Sequence, residues 1–253
     1  MKKFKLTSEF IVDISGVKLF RIKALIEFGN VKAGDLGGYI EKEENLSHMG
    51  DAWVSDDARI SGDAQVFGNA RVSGNARVSG DAQVFGDAWV FGDARVSGNA
   101  RVSGNARVFG NARVFGNAWV SGNARVSGDT QVFGDARVFG NAWVSGDARV
   151  FGDAQVFGNA RVSGNARVSG DAQVFDDARV SGDKDYAYAH GFGSCNRTTT
   201  FFRLRDGGVG VRCGCFYGTL AQFRDKVRET HGETKKAQEY LMLADLMELR
   251  FKD

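Results

Sequence analysis

From Asp51 to Gly182, apolar and polar positions recur every six residues without an insertion or deletion, as 22 successive blocks of the form Asp/Asn-Ala-x-Val-Ser/Phe-Gly. The fourth position is Val in every block except for Ile60, and the second is Ala except for Thr130. Positions two and four have the same parity, so on an extended chain they point to one side; Ala and Val therefore predict a buried face, and positions three and five an outer one. The Gly that closes each block, followed by Asn or Asp, suits a corner with left-handed backbone dihedrals. Asp56 and Asp176 alone replace it, and Asp is among the few residues that tolerate that geometry. A six-residue unit cannot enclose a core by itself, so the blocks predict short strands wound into coils stacked about 4.8 Å apart.

On these residues the chain resembles the hexapeptide-repeat left-handed parallel β-helix family. The resemblance implies the handedness and a triangular coil of about 18 residues. The repeat would then wind just over seven coils, a prism about 35 Å long. The Ser/Phe choice at position five recurs about as well every 24 residues as every 18, so the coil size rests on the resemblance and not on the pattern.

Both flanks break the period. Residues 3–14 and 17–25 alternate as strands do, with Ser15-Gly16 as a turn, and Gly34-Asp35-Leu36-Gly37-Gly38 leads into an irregular coil. Counting back from Gly50 puts Leu46 where Ala belongs and His48 where Val belongs, as in a capping coil that protects an open end. After Gly182, residues 198–205 and 209–215 read as a hairpin across Asp206-Gly207-Gly208. Thr219 and Gln222 have capping-box spacing before a helix with Leu220, Phe223 and Val227 on one face, ended by Gly232. A second helix over about 235–249 carries Tyr240, Leu241, Ala244 and Met247 at core spacing. The expected organisation is mainly β: a β cap over 1–50, the β-helix over 51–182 and a small α+β domain over 183–253.

Composition narrows the function. The chain has 34 glycines and no proline, which keeps every strand amide free to donate and excludes a collagen or disordered linker. Net charge is +2, and the repeat itself holds 13 Arg against 14 Asp, so no basic excess points to nucleic acid. No apolar run reaches membrane-spanning length, and no partner membrane is expected. Three cysteines, Cys195, Cys213 and Cys215, fit a reducing cytoplasmic setting. With His190 they could supply zinc ligands, but the spacing departs from structural zinc knuckles; no metal and no cofactor are expected.

Three sets of residues remain as candidates. Outward Phe and Trp, among them Phe67, Phe85, Trp89, Phe91, Trp119, Phe139, Trp143 and Phe157, would form aromatic ladders usable as a partner surface, or would stack on one another for stability. Arg197, Thr198, Thr200, Arg203, Arg205 and Arg212 would place cationic and hydroxyl groups on the hairpin, fit for a phosphate, a nucleotide or an acidic peptide. Acyl transfer, implied by analogy with many left-handed β-helix proteins, finds no histidine anywhere in 51–182 to act as base.

The flanking motifs Gly34-Asp35-Leu36-Gly37-Gly38-Tyr39-Ile40-Glu41-Lys42, Asn196-Arg197-Thr198-Thr199-Thr200-Phe201-Phe202 and Cys213-Gly214-Cys215-Phe216, around the repeat, also resemble a group of uncharacterised phage and prophage proteins. That resemblance brings no activity or site residues. The expectation is a non-enzymatic scaffold that self-associates through its C-terminal domain or docks a host protein. The alternative is a small-ligand binder or acyltransferase-like enzyme using that domain.

Overall fold

A computed structural model describes residues 1–192 and 197–252. Twenty-two two-residue strands, β4 (Trp53–Val54) to β25 (Arg179–Val180), each hold positions three and four of a block. They stack in parallel with a register of 18 residues, as Trp89↔Arg107 and Val90↔Val108 show, which settles the coil size that the Ser/Phe pattern left open. Every third strand falls on the same face, so the coil is three-sided. Backbone N–H groups of one coil donate to carbonyls of the next, for example Arg101 N to Ala118 O at 2.9 Å and Asn123 N to Gly140 O at 2.8 Å. Ala and Val of positions two and four are fully buried along the whole tube.

The corners explain the glycine. Gly122 has φ 67°, and a Cβ there would sit 2.9 Å from the nitrogen of Gly140 one coil on. Left-handed dihedrals and backbone contact between coils together leave no room for a side chain. The exceptions, Asp56 (φ 58°) and Asp176 (φ 54°), lie near the two ends of the stack. The Asp56 carboxylate accepts from Gly74 N at 2.9 Å, and that of Asp176 bonds the Tyr217 hydroxyl of the C-terminal unit.

At the N-terminal end, β1 (Phe4–Val12) and β2 (Lys18–Ala24) form an antiparallel pair, and β2 pairs with β3 (Leu36–Ile40). Winding begins before the repeat does: β3 stacks in parallel on β5 (Arg59–Ile60), and Leu46 bridges Val66. Ile40↔Ile60 and Leu46↔Val66 are each 20 residues apart, so two extra residues lie between Leu46 and Val54. Leu46 therefore fills a Val position, not the Ala position that counting back from Gly50 assigns. His48 is not in the tube at all but stacks on Phe4, with ring centroids 4.4 Å apart.

Side chains complete the hydrogen bonding at this end, first between this coil and the second, then above this coil, which has no predecessor to donate to its carbonyls. Asn45 Nδ2 donates to Gly62 O and Ala64 O at 2.9 and 2.8 Å. Lys3 Nζ donates to Gly50 O and Ala52 O at 3.1 and 2.8 Å. Both side chains are buried, and desolvation pulls the Lys3 ammonium down to about 8.

At the other end, β26 (Tyr186–Phe192), β27 (Arg197–Arg203), β28 (Val209–Cys213) and β29 (Phe216–Thr219) form an antiparallel sheet in that order. Two of these strands, β26 and β29, go beyond the expected hairpin. The second strand of that hairpin also stops sooner than expected: Cys213 pairs with Phe216 across a tight turn with Gly214 at φ 57°. Cys213 and Cys215 are consequently not neighbours on one strand. Helices α1 (Leu220–His231) and α2 (Lys235–Arg250) follow, α1 capped by Thr219 and Gln222 as the motif predicts. The sheet is a middle layer. Phe202 and Tyr186 join the solenoid core, while Phe201, Val211, Phe223, Tyr240 and Met247 form a second core under the helices.

Candidate functional site

The outer surface of the coils is ordered by what each side chain meets one turn away. Phe67 stacks on Phe85 and Phe91 on Phe109, each with centroids 4.9 Å apart and rings nearly parallel. Phe139 stacks on Phe157 at 4.8 Å, Phe157 on Phe175, and Phe175 meets Tyr217 of the C-terminal sheet edge-on. These rings are half-buried by one another. Position-one amides form a parallel ladder, as in Asn105 Nδ2 to Asn123 Oδ1 at 3.2 Å and Asn123 to Asn141 at 3.0 Å.

Tryptophan follows a rule that the sequence reading missed. The indole N–H of Trp89 donates to Ser73 Oγ, that of Trp119 to Ser103 and that of Trp143 to Ser127, at 3.1–3.2 Å. Each serine lies 16 residues before its tryptophan, in position five of the preceding coil, where a Phe would occupy the space of the indole. Trp53 obeys the steric half of the rule: the residue 16 before it is Gly37, whose Cβ would lie 2.7 Å from the indole. The signal was available as a Trp–Ser correlation at that spacing. The Arg107 and Arg161 guanidinia lie over Trp89 and Trp143 at 5.9 and 5.5 Å.

The six hairpin candidates do not converge. Thr200 is buried, and its hydroxyl accepts from Gln173 N of the last coil at 2.9 Å, so it caps the tube and meets no ligand. Arg212 also faces the tube, its Nε donating to Gln173 Oε1 at 3.3 Å and its guanidinium 5.5 Å from the Phe175 ring. Arg203 is on the opposite side of the sheet, over Phe251 at 5.5 Å. Arg197 leans over Gly214, where a Cβ would be 2.2 Å from Nη1. Arg205 ties its backbone N–H to Asp177 O at 3.2 Å. Alternation along β27 splits the set between two faces, which removes the anion cradle that spacing alone suggested.

Thr198 has a different neighbour. Its hydroxyl is 2.8 Å from His190 Nδ1, and Asp171 Oδ2 is 3.4 Å from the same nitrogen. A nucleophile–base–acid relay needs the hydroxyl and the carboxylate on opposite ring nitrogens, so this trio is not built for one. Arg197, Cys213, Cys215, Lys226, His231 and Tyr240 border a shallow cavity of about 260 Å³. Cys213 Sγ accepts from the buried Thr199 Oγ1 at 3.1 Å. Among the described residues, no three His, Cys, Asp or Glu side chains are grouped to hold a metal ion; Cys195 lies outside them. Nor is any described helix long and apolar enough to cross a membrane.

Helix α2 is apolar on two sides. Ala237, Tyr240, Ala244 and Met247 are buried against the sheet and α1. On the opposite side Met242, Leu246 and Leu249 are 71, 55 and 69% exposed.

The YdcK β-solenoid repeat matches this chain at residues 64–80, 70–86, 94–108, 106–122, 118–132, 130–146 and 154–170. All seven stretches lie within the coils, so the similarity is one of repeat and fold. No curated protein matches the chain.

Proposed function

We propose that this β-solenoid protein is a non-enzymatic scaffold, its coils a rigid spacer and its C-terminal unit the part that makes contact with another copy or with a host protein. One contrast carries the reading. The phenylalanine rings of the coils stack from turn to turn and the indoles bond serines of the preceding turn, leaving Trp89, Trp119 and Trp143 36–40% exposed, whereas the outer face of α2 leaves three large apolar side chains 55–71% exposed. A prefolded prism loses little conformational freedom when a partner binds, which favours contact at fixed spacing. The coils also extrude no loop and hold no histidine, so acyl transfer between them would lack both a cleft and a base. The likeness of the flanking motifs to phage and prophage proteins supports a phage-encoded accessory role in the cytoplasm.

The test is removal of one coil, residues 99–116. A spacer keeps its fold and its native stoichiometry and shortens by about 4.8 Å, measured by small-angle scattering and sedimentation. Loss of association on that deletion would mean that contacts lie on the coils.

A further inference from the structure

We infer that the outer face of α2 pairs with the same face of a second copy, antiparallel about a two-fold axis. The inference deepens the scaffold reading by naming its contact surface. Met242, Leu246 and Leu249 form one stripe along the 16-residue helix, opposite the side packed on the sheet. An axis passing between Met242 and Leu246 sets Met242 of one copy against Leu246 of the other, with Leu249 beside Glu239 at each end of the contact.

Charge placement selects the second copy as occupant. Glu239 and Arg250 lie on the same flank of the stripe, and Glu239 stands about as far before the axis as Arg250 stands beyond it. In an antiparallel helix pair, residues of the same flank face each other, so Glu239 of each copy meets Arg250 of the other. Neither side chain forms an ion pair among the described residues; Arg250 donates only to Asp183 O, at 3.3 Å. On the opposite flank Asp245 and Glu248 are already engaged by Arg224, at 2.8 and 2.6 Å. A parallel pair would instead set this flank against the opposite one, where Asp245 and Glu248 lie, and would keep Glu239 and Arg250 at opposite ends of the contact. One helix face of this length buries less than about 1,200 Å² in total, the size of a reversible contact with a dissociation constant of roughly tens of micromolar.

Sedimentation velocity of the full chain from 1 to about 500 μM tests this, with thermal melting as a check on folding. Wild type is expected to pass from monomer to dimer, and Leu246→Glu to remain monomeric with an unchanged melt. Glu239→Arg alone and Arg250→Glu alone should each weaken the dimer at least tenfold. Their equimolar mixture should restore it, because in the mixed dimer the two substituted side chains face each other with opposite charges and the two native ones form the original pair. Monomer throughout, a dimer indifferent to Leu246→Glu, or no recovery in the mixture overturns the inference. If the one-coil deletion meanwhile keeps its fold, the scaffold reading survives that failure.

Discussion

In the coils, every position-five phenylalanine stacks on another one turn above or below, and the same six-residue rule serves core, corner and surface. The C-terminal unit has no such period. There the sheet is a layer between two different cores, β27 sends Phe202 to one and Phe201 to the other, and α2 retains an apolar face with nothing on it. The difference teaches where contact with another molecule is to be sought. The periodic surface packs its phenylalanines against one another, while the C-terminal end that seals it keeps an apolar helical stripe in water.

The same contrast orders the ways to break the molecule. The largest effect is expected from ending the chain after Gly182. The last coil would lose Thr200 on Gln173 N, Asp183 on Arg167 N and the cover of Phe202, and would present open strand edges over a bare core. Light scattering should show end-to-end polymers or aggregates where the full chain gives a discrete species. Next comes Gly122→Val, which places a branched side chain at positive φ against the neighbouring coil's backbone. A loss of about 3 kcal/mol or more is expected by denaturant titration.

Smaller effects sharpen the comparison. Thr130 replaces Ala in the core column, and its buried hydroxyl has no partner. Thr130→Ala should therefore stabilise by about 1 kcal/mol. Ser103→Ala removes the acceptor of the Trp119 indole and should cost about 0.5–1 kcal/mol, with the same loss absent in a Trp119→Phe background. Lys3 gives a pH signature. Its pKa is about 8 in the fold against 10.5 in an exposed lysine, so between those values the unfolded chain binds more protons and stability rises with pH. Lys3→Met should abolish that rise in urea titrations at pH 7.5, 9 and 10.5.

Much of this architecture was legible because one rule is repeated many times. Val and Ala of like parity place the core, Gly at fixed spacing places the corners, and Thr219 with Gln222 places the start of α1. What was not legible depends on partners distant in sequence. The coil size is set by which strands stack, and hexads are too alike to reveal it. The two extra residues after Leu46 are invisible because Gly50 fits the period by itself. The surroundings of the hairpin residues were not legible for a related reason: the sheet is covered on both sides, Thr200 and Arg212 meeting Gln173 of the last coil and Arg203 the Phe251 ring. The Trp–Ser pairs, 16 residues apart, could have been found by asking what each indole N–H would meet.

The most direct test of the division between coils and contact surface is the self-association constant of a chain in which all ten position-five phenylalanines are replaced by serine, as 12 of the 22 blocks already have it. Thermal melting should show a lower midpoint while sedimentation shows an unchanged dimerisation constant, since the ladders hold the coils and α2 holds the pair. Loss of association while the coils remain folded would place the contact on the aromatic ladders and contradict the account.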